Sequence, residues 1–577
     1  MAVTKQEVSE ILDEIGTLLE LKGENPFKSR AYANASRTIA ALEMDLGEAV
    51  RSGALKEVKG IGAALFEKIG ELVTTGKLAY YEELKAAVPA GLLEMLRIPG
   101  LGPKRARLIH EQLGISTIGE LEYACNENRL LKLEGFGPRM QEKILQGIQY
   151  VRRQKGLFHY PVAAGEAERL YDALKAHKAV KRIAVAGSLR RRKEVVKDID
   201  LLVSSERSGP VMEAFTAHPE VDEVVAKGET KSSVRLKSGI NADLRVVSDA
   251  EFPYALHHFT GSKEHNIAMR GRAQRLGFKM NEYGLFQGEK PVPCRNEEEI
   301  FSKLGLDFIP PELREDMGEI AAAESKNLPK LVEEKDIRGI FHNHTVYSDG
   351  NATLEEMVGA ARAAGYEYIG ISDHSRSAQY AHGLEVERVY EQQKAIDALQ
   401  KKHKDITIFK GTECDILPDG TLDYPDDVLA SFDFVVVSIH SKFKMTEAEM
   451  TKRIVRAIKN PYVTILGHPT GRLLLTREAY PVDMRAIIKA ASDHGVAIEL
   501  NANPMRLDLD WRLGPTAVEL GVPVSINPDA HSVEGIRDVR YGVGIARKGW
   551  LTREAVFNTK SATEMKKVLA QRRPATT

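Results

Sequence analysis

The chain has 577 residues, of which 43% are apolar and 28% charged, and its formal net charge is −1 at pH 7. This length exceeds what one hydrophobic core supports, and neither a run of about 18 apolar residues nor an apolar leader occurs, so we expect a multidomain protein that is neither membrane-spanning nor secreted. The three cysteines, Cys125, Cys294 and Cys414, are too few and too far apart for a disulfide framework, which indicates the reducing cytoplasm.

Residues 1–155 have the pattern of short amphipathic helices separated by glycine-containing turns. Three segments, VKGIGAALFEKI, IPGLGPKRARLI and LEGFGPRMQEKI, repeat a G-x-G turn that opens a helix. Glycines let the backbone approach a phosphate, and the helix that follows presents its first N–H groups to it. Ordinary glycine-capped turns have the same pattern, but three copies with nearby basic residues favour non-specific binding to the DNA backbone. The predicted DNA-binding residues of these turns are Gly60, Gly62, Gly100, Gly102, Lys104, Gly135 and Gly137.

From residue 157 the pattern changes to β-strands, and the most specific stretch of this half is AVAGSLRRRKEVVKDIDLLV at residues 184–203. Residues i and i+2 of a strand share one face, so Asp198 and Asp200 are expected to point the same way. A third carboxylate, Asp243, lies in another predicted strand, INADLRVV. A D-x-D at a strand start is common by itself, but the Gly-Ser-x-Arg-Arg context favours two Mg²⁺ or Mn²⁺ ions that serve phosphoryl transfer.

Residues 337–577 alternate short β-branched runs with helical periods in seven strand-plus-helix units, after a charged connector at residues 312–336. This alternation predicts a distorted parallel (β/α)7 barrel, whose chemistry would sit at the C-terminal ends of its strands. Imidazole and carboxylate ligands suit Zn²⁺, Mn²⁺ or Fe, and the ligands here are too many for one ion, so we predict two or three ions. The predicted ligands are His342, His344, Asp349, His374, Glu413, His440, His468, Asp529 and His531.

The segments GSLRR, DID, DLR, HFTGSKEHN and NEY, within a match from about residue 5 to 310, resemble the family X DNA polymerases. The resemblance implies that Asp198, Asp200 and Asp243 are the catalytic metal ligands. His258 stands where the family often has tyrosine, which leaves sugar selectivity open, and Arg192 stands where polymerase beta has glycine. The implied nucleotide-binding residues are Gly187, Ser188, Arg191, Gly261, Ser262, Lys263, Asn266 and Arg270.

The N-terminal helices resemble the small lyase domain of the same family. Lys68 matches the position of its Schiff-base lysine, with an exposed helix lysine as the alternative, and Lys28 is expected to bind DNA at a gap. A helper lysine of that domain is replaced here by Ala64. The implied domains are a lyase-like DNA-binding domain at 1–88, fingers with helix-hairpin-helix motifs at 89–156, a nucleotidyltransferase palm at 157–249, a thumb at 250–315, a linker at 316–336 and the barrel at 337–577.

The barrel residues resemble the polymerase and histidinol phosphatase (PHP) domain, with all nine ligand positions present. Together the two resemblances imply a base excision repair polymerase that fills short gaps from dNTPs and carries a Mn²⁺-dependent 3′–5′ exonuclease, with 3′-phosphatase or abasic-site phosphoesterase activity as related outcomes. The ions implied for the barrel are Mn²⁺, Zn²⁺ or both. The expected partner is gapped or nicked double-stranded DNA, and a monomer is expected. Two alternatives stay open: a DNA-end-binding protein with an inactive palm, and a tethered phosphatase for small molecules such as histidinol phosphate.

Overall fold

The computed structural model describes residues 3–42, 44–126, 129–154, 156–475 and 477–572. The chain divides into two units that meet at residues 155 and 156, close to the predicted boundary after the fingers. The other predicted boundaries, after residues 88, 249, 315 and 336, stay predictions, and residues 573–577 of the last predicted domain lie outside the described part. None of the described helices is both long enough and apolar enough to cross a membrane.

The first unit contains only helices and turns among its described residues, as the sequence predicts. Its first helix begins with a capping box in which Thr4 and Glu7 each satisfy a free backbone N–H. Apolar residues at helical spacing, such as Leu12, Ile15 and Leu19, are buried in a core that all parts of this unit share. The helices are α1 (Lys5–Leu21), α2 (Pro26–Ala40), α3 (Leu46–Ser52), α4 (Ala63–Thr75), α5 (Ala79–Ala87), α6 (Ala90–Met95), α7 (Pro103–Leu113), α8 (Ile118–Asn126) and α9 (Pro138–Gln154).

The second unit begins with a mixed sheet that carries the palm motifs. The strand order is β2-β4-β7-β6-β5, and only the central pair β4–β7 is parallel. Burial alternates along β7, so one face packs on the core while the other carries polar residues. The elements are β1 (Phe158–His159), α10 (Tyr160–Lys175), β2 (Arg182–Val185), α11 (Gly187–Arg190), β3 (Val195–Val196), β4 (Asp198–Ser204), α12 (Ser208–Thr216), β5 (Val221–Lys227), β6 (Lys231–Leu236) and β7 (Asn241–Val247).

A helical segment with a small antiparallel sheet follows the palm. Its own core includes Met269, Leu285 and Phe301. The predicted connector is folded rather than extended, because it contains a helix and two short 3₁₀ turns and its Leu331 bridges to Thr552 of the barrel. The elements are α13 (Phe252–Thr260), α14 (Lys263–Arg275), β8 (Phe278–Asn281), β9 (Gly284–Gln287), β10 (Lys290–Val292), α15 (Glu297–Lys303) and α16 (Glu319–Glu324).

The remaining residues form a seven-stranded parallel sheet in simple chain order, β11 to β17. An isolated bridge between Asn343 and Ala530 joins its two edges, so the barrel is nearly closed and the predicted (β/α)7 fold is confirmed. The elements are β11 (Gly339–Ile340), α17 (Leu354–Ala363), β12 (Tyr368–Ile371), α18 (Val386–Lys402), β13 (Thr407–Asp415), α19 (Asp426–Leu429), β14 (Phe434–Ser438), α20 (Glu447–Ile458), β15 (Ile465–Leu466), α21 (Met484–His494), β16 (Ala497–Asn501), α22 (Gly514–Glu519), β17 (Val524–Asn527), α23 (Val539–Lys548) and α24 (Ala562–Gln571).

One strand is shorter than its sequence predicts. The stretch GIFHNHT was expected to form a strand that includes His342 and His344, but β11 ends at Ile340. The segment that follows β11 makes backbone hydrogen bonds on both sides. The His344 N–H donates to the carbonyl of Ala530, after the last strand, and the carbonyl of Asn343 accepts from the Ser372 N–H, after β12. Both histidines remain on one side of this segment, so their predicted common orientation is kept.

Candidate active sites

The palm carboxylates lie on the parallel strand pair β4–β7. Asp200 and Asp243 are direct partners in the register of this pair, and Asp198 precedes Asp200 on the same face. Ile199, between the two, is fully buried on the opposite face. The strand alternation therefore brings together all three carboxylates that the sequence predicts.

The three carboxylates disfavour one another's charged forms. Burial, followed by the charges of Asp198 and Asp243, raises the pKa of Asp200 to about 6. Burial and the charge of Asp243 also raise the pKa of Asp198. Lys231 offsets part of this repulsion, with its Nζ 2.8 Å from Asp243 Oδ2. Clustered oxygen donors with raised pKa values fit a hard divalent cation.

A cavity of about 370 Å³ opens beside these carboxylates. Gly187, at φ +63°, has no space for a side chain, because a Cβ there would lie 2.0 Å from Asp200 Oδ2. Its close approach brings the turn before α11 against the carboxylate. All eight predicted nucleotide-binding residues line this cavity, together with Asp198, Asp200 and His258: Gly187, Ser188, Arg191, Gly261, Ser262, Lys263, Asn266 and Arg270.

The two positions that depart from the family pattern lie at or beside the cavity. His258 lies in its wall, and burial lowers the pKa of its imidazole. The carbonyl of His258 accepts a hydrogen bond of 2.7 Å from Asn266 Nδ2, which holds the end of α13 against α14. Arg192 has a left-handed backbone, φ 57°, so the chain adopts there a conformation that glycine would adopt most easily.

The three G-x-G turns of the first unit share one backbone geometry. The first glycine of each turn, Gly60, Gly100 or Gly135, has a φ between 81° and 98°. The second glycine directly precedes a helix, α4, α7 or α9. Among the described residues, a Cβ at five of these six glycines would meet nothing within 4 Å, and at Gly60 it would meet only Thr38 Oγ1, at 3.6 Å. Lys104 is exposed beside the second turn. Open glycine turns before helix N-termini are suited to phosphate contacts.

Lys28 and Lys68 lie on the same aromatic ring. Their Nζ atoms are 5.5 Å and 4.6 Å from the centroid of Tyr80, and Tyr80 in turn stacks on Tyr32. Lys68 is half-buried rather than fully exposed. The two predicted functional lysines of this unit are thus neighbours, although they belong to helices α2 and α4.

In the barrel, the nine predicted ligands converge on one centre. Most follow the C-terminal ends of strands, and Glu413 lies within β13. The Glu413 carboxylate is within 3.6 Å of five imidazoles, at 2.9 Å from both His374 Nδ1 and His468 Nε2. Asp529 and Asp349 bridge the remaining ligands, with Asp529 Oδ1 3.2 Å from His344 Nε2 and Asp349 Oδ1 3.4 Å from His531 Nε2.

These nine residues form four overlapping groups whose ligand atoms lie within 4.8 Å of one another, and among the described residues the palm carboxylates do not approach one another this closely. His342 Nε2 and both nitrogens of His344 are buried, and none of them makes a hydrogen bond of normal geometry with a described residue, although the Glu413 and Asp529 carboxylates lie 3.3 Å and 3.2 Å from the two Nε2 atoms. Buried polar atoms without partners are costly, and a metal ion would satisfy them. The residues therefore fit a cluster of divalent ions.

The pKa values of the imidazoles in this centre also favour the binding of cations. Burial, with the neighbouring imidazoles of His531 and His374, lowers the pKa of His344 to about 3, so this ring is neutral, which is the form that binds metal. Burial alone would lower the pKa of His374, but the carboxylates of Glu413 and Asp349 raise it to about 10. The centre thus attracts cations, whether protons or metal ions.

Several residues that the sequence reading missed hold these ligands in place. Glu499, fully buried on β16, accepts a hydrogen bond of 2.7 Å from His342 Nδ1 and one of 2.8 Å from the backbone N–H of His468. Asp415 lies 2.6 Å from His440 Nδ1, and Asp373 binds the loop at Thr345 and Ser348. The available signal was an acidic residue inside each of the apolar strands TIFKGTECD and AIELN. Such partners orient the imidazoles of metal sites.

Four family models match parts of the chain. They are a helix-hairpin-helix domain at residues 3–78, a SAM-like helix-hairpin-helix tandem at 92–149, the DNA polymerase beta thumb at 255–315 and the PHP domain at 341–503. Their order along the chain is the order in which the sequence motifs occur.

Curated relatives match either nearly the whole chain or less than half of it. The DNA polymerase/3'-5' exonuclease PolX of Bacillus subtilis (strain 168) is 39% identical over 98% of this chain and 99% of its own length. A probable phosphatase of Thermoanaerobacter sp. (strain X514) is 29% identical over 38% of this chain and 89% of its own length. A probable phosphatase of Caldicellulosiruptor saccharolyticus is 34% identical over 28% of this chain and 64% of its own length.

Proposed function

Because the chain belongs to the PolX family of family X DNA polymerases with a C-terminal PHP domain, we propose that it fills short gaps in DNA and processes the 3′ end at a second site. It is a DNA polymerase with a 3′–5′ exonuclease activity in its PHP domain. The observation that carries the proposal is that one chain brings together two sets of predicted metal ligands: three palm carboxylates beside a cavity, and nine barrel residues around Glu413.

In the polymerase site, divalent ions held by Asp198, Asp200 and Asp243 would neutralise charge on the phosphates and activate the primer 3′-hydroxyl. We assign Ser188 and Arg191 to the triphosphate, since both line the cavity next to the carboxylates. Gly261 and Ser262 are assigned to the turn beside the sugar, and Asn266 and Arg270 to the nucleotide and the template side of the nascent pair. Gly187 and Lys263 complete the nucleotide-binding wall of the cavity. The ions are proposed to be Mg²⁺ or Mn²⁺, and the substrates dNTPs.

In the barrel, two or three Mn²⁺ or Zn²⁺ ions would activate water and neutralise the scissile phosphate. Glu499 and Asp415 fix the Nδ1 atoms of His342 and His440, so that the Nε2 atoms face the cluster. Asp349 and His531 are the more exposed ligands, with 29% and 37% of their side chains accessible. The DNA 3′ end is therefore proposed to enter on their side.

The first unit is proposed to hold gapped or nicked DNA through the three glycine turns. Lys104 and Lys28 would contact phosphates, and the protein would act as a monomer. Lys68 stays a predicted Schiff-base lysine. Its test is borohydride trapping on abasic DNA, which Lys68→Ala would abolish and the exposed-site control Lys77→Ala would not.

The deciding experiment follows a labelled primer on a duplex with a one-nucleotide gap, in Mg²⁺ or Mn²⁺, with and without dNTPs. Asp198→Ala with Asp200→Ala is expected to abolish extension and spare 3′ shortening. His342→Ala with His344→Ala is expected to do the reverse. Asp222→Ala and His494→Ala, at exposed positions of the palm and the barrel, are the matched controls and should keep both activities.

Other outcomes would redirect the assignment. Extension without 3′ shortening would contradict the exonuclease assignment. Primers with 3′-phosphate and abasic ends would then be tested as substrates of the barrel. Hydrolysis of histidinol phosphate but not of DNA would favour a tethered small-molecule phosphatase. Band shifts without nucleotide incorporation would favour a DNA-end-binding protein with an inactive palm.

A further inference from the structure

The end of α11 and the basic loop after it contact three different parts of the second unit through three consecutive arginines. Arg190 pairs with Glu297 of α15, at 2.6 Å from Nη2 to Oε2. Arg191 pairs with Glu315 of the connector, at 3.0 Å from Nε to Oε1. Arg192 faces the barrel, where its Cδ would lie 3.4 Å from a Cβ built at Gly544 of α23. The loop that carries the proposed triphosphate ligand therefore touches the barrel directly.

Lys548, the last residue of α23, connects the barrel to Arg191. Its side chain is fully buried, and its Nζ lies 3.1 Å from the backbone carbonyl of Arg191 and also binds Glu315 Oε1. Glu315, 9% exposed, thus lies between the Arg191 guanidinium and the Lys548 ammonium. One barrel residue contacts both the backbone of Arg191 and the carboxylate that orients its side chain.

The surroundings of Lys548 make it a specific contact rather than a solvated surface charge. The charged groups that face it are Glu315, Arg191 and Lys193, and its Nζ also lies over the ring of Trp511, 4.6 Å from the centroid. Burial lowers the pKa of Lys548 to about 8, although Glu315 counteracts this. A buried cation is costly unless it is paired, so the fold holds Lys548 in one geometry, with Glu315 as partner.

Arg192 extends the same contact. Its guanidinium lies over the ring of Tyr160, 5.3 Å from the centroid, and Tyr160 meets Tyr541 of α23 edge to face. A second link is the pair between Arg472 Nη2 of the barrel and Glu194 Oε1, at 3.3 Å. The arginine that replaces the glycine of polymerase beta is therefore part of the contact surface between palm and barrel.

We propose that Lys548 is a positioning residue of the polymerase site, through which the barrel holds Arg191 in the orientation that binds the nucleotide triphosphate. The inference rests on the proposed function, in which Arg191 is a triphosphate ligand. Lys548 touches neither nucleotide nor metal ligand, so it acts through Glu315 and the Arg191 carbonyl. The barrel is then part of the polymerase as well as the site of hydrolysis.

The test is steady-state kinetics of single-nucleotide gap filling in the full-length chain. Lys548→Met is expected to raise the KM for dNTP about tenfold with kcat within about threefold, because it disturbs binding rather than chemistry. The rate of 3′ shortening by the same variant reports that the barrel is folded and is expected to be unchanged. Glu315→Gln, which perturbs the contact from the other side, is expected to raise KM in the same way.

Arg547→Met is the matched control. Arg547 is the neighbouring residue of α23 and binds the same connector, through Glu312 Oε1 at 2.7 Å and the carbonyl of Val332, but not Arg191. The KM of the Arg547→Met variant for dNTP is expected to stay within about twofold of the wild-type value. An equal rise in both variants would mean that a loosened interface causes the effect, and it would overturn the proposal.

A double-mutant cycle separates this inference from the proposed function. Arg191→Ala by itself is expected to raise the KM for dNTP, and adding Lys548→Met is expected to raise it less than about twofold further, since the target of Lys548 is gone. If Arg191→Ala leaves KM unchanged, the triphosphate role of Arg191 is wrong, and the inference falls with it. If Arg191→Ala raises KM while Lys548→Met has no effect, or has its full effect in both backgrounds, only the positioning role is wrong.

Discussion

At the residue scale, Asp200 lies where the repulsion between carboxylates in the proposed polymerase site is strongest, and this repulsion favours binding of a cation. It lies between Asp198 and Asp243 and against Gly187, where no side chain would fit. Three carboxylates in this arrangement repel one another in the absence of a counter-ion, and this repulsion is visible in the raised pKa of Asp200. The folded palm therefore carries an electrostatic cost that metal binding relieves.

Asp200→Asn is accordingly expected to stabilise the metal-free protein by about 1–2 kcal/mol at a pH of about 7.5. The pKa of Asp200 is about 6 in the folded protein, against an ordinary value of 3.8, so the folded state binds this proton more tightly than the unfolded chain. The contribution of Asp200 to the free energy of unfolding of the wild type thus rises as the pH falls from 6 towards 3.8. The stability difference between Asp200→Asn and the wild type shrinks over the same pH range. Thermal unfolding in chelator checks this at two pH values.

The exposed carboxylate Asp222 supplies the comparison, since Asp222→Asn removes a charge outside the cluster. An advantage of Asp200→Asn that is the same at a pH of about 5 and about 7.5 would contradict the repulsion argument. So would an equal effect of Asp222→Asn.

At the scale of elements, the strand ends of the barrel deliver the ligands, and the interiors of neighbouring strands orient them. Glu413 on β13 is the shared carboxylate, whereas Glu499 on β16 is a partner of His342. Both are acidic residues on buried strands, yet only one reaches the centre of the cluster. The difference depends on strand position around the barrel and not on residue type.

Glu499→Gln is expected to lower the 3′-shortening activity about 10–100-fold at limiting Mn²⁺, with partial recovery at high Mn²⁺, because it weakens the orientation of His342. Nucleotide incorporation is expected to stay within about twofold. The measurement is the Mn²⁺ dependence of hydrolysis, with the exposed Glu519→Gln as control. Loss of both activities would instead mean that the fold of the barrel had failed.

The glycine turns of the first unit are the second kind of functional element. Lys104→Gln is expected to weaken binding equally for all DNA sequences and to reduce the slope of log affinity against log salt by about one, since one phosphate contact is lost. Salt titrations of binding to gapped duplexes check this. Lys77→Gln, which also removes an exposed lysine of this unit, is expected to leave the slope unchanged.

At the scale of the whole molecule, the barrel encloses a cluster of predicted ligands that divalent ions would satisfy. Most of the nine predicted ligands are buried, and the ring nitrogens of His344 make no hydrogen bond of normal geometry with a described residue. The connector and helix α23 both contact the palm at Arg191, through Glu315 and Lys548. Metal content is therefore expected to affect stability as well as hydrolysis.

Mn²⁺ at about a hundred times its dissociation constant is expected to stabilise the protein by about 2.7 kcal/mol per site, and chelation to reverse this. His342→Ala with His344→Ala should lose most of the Mn²⁺-dependent rise in unfolding temperature. Calorimetry with and without Mn²⁺ checks this, with His494→Ala as control. An undiminished rise in the double variant would place the stabilising metal elsewhere.

The helical first unit, the palm strands with their three carboxylates, the seven-stranded barrel and the grouping of nine ligand-type residues in it could all be predicted from the sequence. These features depend on local signals: glycines that open helices, alternation along a strand, and metal-ligand residues after apolar runs. Such signals act over a few residues, so they can be read without knowing how the chain packs. The same signals predicted that the first barrel strand would include His342, whereas the observed strand ends at Ile340. The sequence pattern does not reveal where the two edges of a barrel meet.

Which distant residues support these sites could not be predicted, because it depends on how the elements pack. Glu499 binds His342 across 157 positions of the chain, and Lys548 reaches the carbonyl of Arg191 across 357. Arg192, a mere departure from a family pattern in the sequence, proves to contact the barrel. Partners so far apart are brought together by packing of whole elements, and no periodicity within either segment specifies which face of one element will meet the other.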